Sequence, residues 1–82
     1  MATVAEVLAA ADDSVTLING IDDGSIVRSD LTQDEINIMI QQNVDHLEII
    51  LAYTDPDVAG SSDDKSSYTN AITTGNAYIA AN

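Results

Sequence analysis

The sequence predicts an all-α fold, a small three-helix bundle with helix 2 as its central element. Three observations carry this reading. Aliphatic residues recur at helical three- and four-residue spacing in three stretches, about 3–19, 32–54 and 63–80. Capping or helix-breaking residues bound the stretches. The type of acid also points to helix ends and turns. Of 14 acidic residues 11 are Asp, which favours caps and turns, and only 3 are the better helix former Glu.

The first helix opens at Thr3. Thr3 and Glu6 have the capping-box spacing, in which each side chain satisfies a free backbone N–H. Val4, Val7, Leu8, Ala11, Val15 and Ile18 then form one apolar stripe, and Asn19-Gly20 is a stop signal. The β-branched run Ser14-Val15-Thr16-Leu17-Ile18 also fits a short strand turning at Asn19-Gly20, although no second strand of similar quality follows. Ile21, Ile26 and Val27 make the connection to helix 2 one that packs on the bundle.

Helix 2 has the clearest start in the chain. Thr32 and Glu35 form a second capping box, and Leu31 and Ile36 occupy the two positions of a hydrophobic staple around it. Its core stripe runs through Ile36, Met39, Ile40, Asn43, Val44, Leu47, Ile50 and Leu51. Asp55-Pro56 ends it, because the residue before Pro is driven out of the α region. After the soft stretch Gly60-Ser61-Ser62, Asp63-Asp64 suit a helix N-terminus. Tyr68, Ala71, Ile72, Gly75 and Ile79 mark helix 3. A long helical hairpin with residues 1–20 loosely attached is the alternative arrangement.

Length and charge bound the function. With 82 residues the chain makes one domain, residues 1–82, too small for a deep cleft between lobes. It has no Cys, which excludes disulfides and thiolate metal sites. Two cations against 14 acids exclude direct contact with a nucleic-acid backbone. The net charge of -12 repels anionic membranes and favours basic partners. The N-terminus lacks a basic signal-peptide start, and no apolar run approaches a membrane span. The chain is therefore expected to be soluble and made in a cytoplasm.

Chemistry-bearing patterns are sparse, and the expectation is that the chain is not an enzyme and takes no cofactor. His46 is the only His, and neighbouring Asp45 points about 100° away on the same helix, so the two make no local dyad. The Gly residues are isolated and form no phosphate loop. The acidic stretch between helices 2 and 3 is a weak calcium candidate. Asp55, Asp57 and Asp63 fall at positions 1, 3 and 9 of a twelve-residue loop, but Ala59 at position 5 and Ser66 at position 12 supply no carboxylate.

The most informative surface is a second stripe on helix 2. Ile38, Gln42, His46, Ile49 and Tyr53 share a face well away from Ile40, Val44 and Leu47, and none of the five is an acid. Either helices 1 and 3 flank helix 2 and cover this face, or it stays exposed and docks a protein partner or a second copy. A small acidic body that lures a basic nucleic-acid-handling protein, as an inhibitor or DNA mimic, is the competing function.

The run Asn43-Val44-Asp45-His46-Leu47-Glu48-Ile49-Ile50-Leu51-Ala52, followed by an Asp-rich loop and by Tyr68 to Tyr78, resembles short proteins encoded by marine cyanobacterial phages. The likeness is strongest from about Leu31 to Tyr78. That family has no assigned activity, so no functional residue carries over. The resemblance implies a context, a phage product that is either built into the virion or directed at a host protein.

Overall fold

The computed structural model describes residues 4–52 and 65–82, with side chains described for residues 6–52 and 66–82. These residues form three helices and no strand: α1 (Val4–Asp23), α2 (Gln33–Ala52) and α3 (Lys65–Ala81). Each helix packs against both of the others. The C-terminal part of α1, the start of α2 and the end of α3 meet at one end, where Ile21, Ile36 and Tyr78 line a shared groove. The Gln33 amide of α2 donates to the Tyr78 hydroxyl of α3 at 3.0 Å. The bundle therefore runs up, down and up.

The core is the set of inward stripes. Ala11, Ile18 and Ile21 come from α1; Ile40, Val44, Leu47 and Ile50 from α2; Tyr68 and Ala71 from α3. Val7, Val15, Ile36, Met39, Leu51, Ile72 and Ile79 pack around this cluster. Ser14 to Ile18 is helical throughout, so the strand alternative is not the one adopted.

Helix α1 runs past the expected stop at Asn19-Gly20 and ends at Asp23. The reason lies in two glycines with different jobs. Gly24 takes the left-handed backbone with φ of 84°, which suits Gly at a helix C-terminus. Gly20 stays helical and provides space: a Cβ there would collide with the Ile26 side chain. That space lets the chain fold back, so that the Ile26 N–H donates to the Gly20 carbonyl at 2.9 Å.

The start of α2 follows the predicted box. The Thr32 N–H donates to Glu35 Oε1 at 2.9 Å, and the Glu35 N–H donates to Thr32 Oγ1 at 3.2 Å. The Thr3 cap and the Asp63-Asp64 cap lie outside the described residues. Among the described residues, no helix is long and apolar enough to cross a membrane.

Candidate interaction surface

The residues of the proposed second stripe divide in the structure. Ile38 is 58% exposed and Ile49 59% exposed, although both belong to a helix packed against the other two. Gln42 between them is also exposed. The cause is the arrangement of the helices. With α1 and α3 each packing on the other, both lean on the same broad side of α2, and its opposite side is left uncovered. Tyr53 lies outside the described residues.

His46 does not belong to this ridge. It is half-buried, and its Nδ1 lies 3.0 Å from the Ser14 Oγ of α1. Asp45 takes its place. At 100° per residue, positions 38, 42, 45 and 49 fall within about 60° of one another, and Asp45 is exposed. The face is therefore not free of charge, as its sequence-level outline suggested. Gln41 braces Asp45, its Nε2 donating to Asp45 Oδ1 at 2.9 Å.

The polar joint between α1 and α2 is a finding that the sequence pattern did not reveal. Ser14 is only 4% exposed and faces Asn43 and His46. The Asn43 Nδ2 donates to the Met39 carbonyl at 2.8 Å, which fixes the orientation of its amide. Asn43 Oδ1 then accepts the Ser14 hydroxyl proton at 2.8 Å. A hydroxyl has one proton to give, so the contact with His46 requires the proton on His46 Nδ1, which donates to Ser14 Oγ. Among the described residues no buried side-chain nitrogen or oxygen lacks a partner.

The groove where the three helices meet has a volume of about 240 Å³ and an apolar lining of Ile21, Ile26, Ile36 and Tyr78. That is below the roughly 300–1,000 Å³ of small-molecule sites. Its charged group, Arg28, forms a two-pronged pair with Asp30, with Nε to Oδ1 at 3.0 Å and Nη2 to Oδ2 at 2.9 Å. The Arg28 guanidinium holds the Asp30 carboxyl below the usual carboxylate range. The Asp23 carboxyl is lowered too, chiefly because it accepts the Ser25 N–H at 2.8 Å.

No cluster of three or more His, Asp or Glu able to hold a metal occurs among the described residues. The calcium candidates Asp55, Asp57 and Asp63 lie outside them. No family model, curated protein or solved structure matches the chain.

Proposed function

We propose that this protein is a non-enzymatic interaction module that assembles through the exposed face of α2. The observation that carries the reading is the pair Ile38 and Ile49, each more than half exposed on one face of α2. A residue that stabilised only the monomer would turn its apolar surface inward, as Ile40, Val44, Leu47 and Ile50 do on the same helix. Two large aliphatic side chains on a polar helix face, flanked by Gln42, match the composition of a contact surface. On the resemblance to short cyanophage proteins, the setting is a virion or an infected cell, and the contact is structural.

Competition from the acidic-decoy reading is weaker. A phosphate mimic needs carboxylates in rows, and the exposed ridge of α2 carries one acid, Asp45, between two isoleucines. Site-specific photo-crosslinking tests the proposal. A photoreactive side chain at position 38 or 49 gives protein adducts, and one at exposed Asp13 or Thr73 does not. Equal labelling from all four positions overturns the assignment of the face.

A further inference from the structure

We propose that the groove where the three helices meet receives one aromatic side chain of a basic protein segment, whose lysines or arginines flank the aromatic and rest on an acidic rim. This site is separate from the α2 face, since neither Ile38 nor Ile49 lines it.

The apolar part comes first. Val27 is 76% exposed, more than either isoleucine of the α2 face, and it lines the groove. A single exposed aliphatic is ordinary on a protein surface, but one that continues the apolar lining of a recess extends a contact patch. The segment that carries Val27 is tied down. The Ser25 N–H donates to Asp23 Oδ1 at 2.8 Å, the Ile26 N–H to the Gly20 carbonyl at 2.9 Å and the Leu31 N–H to the Arg28 carbonyl at 3.1 Å. A recess that is formed before its ligand arrives avoids the ordering cost of binding.

Size and lining select the anchor. A volume of about 240 Å³ is small for a free ligand and suits one large side chain, as interface anchors fill pockets. Arg28 and Tyr78 both line the groove, and both favour an aromatic guest. A guanidinium packs over a ring face, and two rings attract in offset or edge-on contact. Each is held in place. Asp30 accepts two hydrogen bonds from the Arg28 guanidinium, and Gln33 Nε2 donates to the Tyr78 hydroxyl.

Charge selects what flanks the anchor. Asp30 pairs with Arg28 at 2.9 Å and offsets its charge. Asp22, Asp23, Asp34 and Glu35 are exposed and lie within two residues of a lining position, whereas no Lys or second Arg does. Asp23 and Glu35 each bond to one backbone N–H and retain lone pairs for a cation. A rim of one sign attracts cations and repels acidic segments, so a basic partner is the one that the surroundings of the groove admit.

The chain has no Trp, so a tryptophan in a peptide reports without background. The probe is a short amidated peptide with one tryptophan between pairs of arginines, titrated into the full chain in 0.1 M NaCl. The expected result is a blue shift of the tryptophan emission, with amide shifts in 15N spectra centred on Val27, Ile36 and Tyr78. Replacing the peptide's tryptophan by alanine, or its arginines by glutamates, is expected to weaken binding roughly tenfold or more. Raising NaCl to 1 M, which shortens the Debye length from about 10 Å to about 3 Å, weakens it as well. Val27→Ser, its fold checked by circular dichroism, is expected to weaken binding several-fold, and Thr73→Ala at an exposed position of α3 to leave it unchanged. Equal binding of the tryptophan and alanine peptides overturns the aromatic anchor. Undiminished binding of the glutamate peptide, or in 1 M NaCl, overturns the basic partner. No binding at millimolar peptide, full binding to Val27→Ser, or amide shifts centred on Ile38 and Ile49 overturns the groove as the site.

Discussion

Gly75 lies in the middle of α3, where Ala is the better helix former by about 1 kcal/mol. On an exposed helix Gly75→Ala stabilises. Here the glycine is buried where the three helices converge, and a Cβ would sit 2.5 Å from Val44 Cγ2 and 3.2 Å from Ile40 Cγ2. Both neighbours are fully buried. Val44 is β-branched and held near one rotamer in a helix, so it has no alternative direction in which to move. Overpacking of this kind costs about 1–3 kcal/mol, which exceeds the propensity gain and leaves a net loss of about 1 kcal/mol. For a chain of this size such a loss lowers Tm by roughly 4–8 °C. Thermal unfolding by circular dichroism measures it. Combining the change with Val44→Ala opens the space, and the double variant is expected to be more stable than the sum of the two single losses by about 1 kcal/mol. A rise in Tm for Gly75→Ala, or strict additivity with Val44→Ala, refutes the argument from close helix approach.

Thr32→Ala removes one half of the α2 capping box and is expected to cost about 1 kcal/mol in chemical denaturation. Ser14→Ala leaves Asn43 Oδ1 without its donor and is expected to cost about 1–2 kcal/mol, while 15N spectra of the unmodified chain show the His46 proton on Nδ1 and lose that preference in the variant. Asp23 and Asp30 have folded-state values below their unfolded ones, so their contribution to stability is present above the ordinary carboxylate range and is lost as pH falls through the lowered values. Side-chain NMR titration is expected to place both midpoints below the usual carboxylate range.

Periodicity made the helices legible. The stripes Ala11–Ile18 and Ile40–Val44–Leu47 all turn inward, and the Thr32–Glu35 box forms with both of its hydrogen bonds. The end of α1 was less legible, because Gly20 and Gly24 look alike in one dimension. Only the return of Ile26 distinguishes a glycine that supplies space from one that supplies a left-handed turn. The α2 face was half legible. Residue spacing locates Ile38 and Ile49, but whether a neighbouring helix covers them depends on how three helices close on one another. His46 and Asp45 exchange roles for the same reason: Ser14, a residue with no signature of its own, faces His46 across the helix pair and holds it at the edge of the core.

The claim that matters most is that Ile49 serves assembly and not folding. Photo-crosslinking from position 49, together with thermal unfolding of Ile49→Asp, tests it most directly. The predicted result is protein adducts from position 49 and a variant that folds with the Tm of the unmodified chain. No adducts from position 49, or a variant that unfolds, contradicts the account.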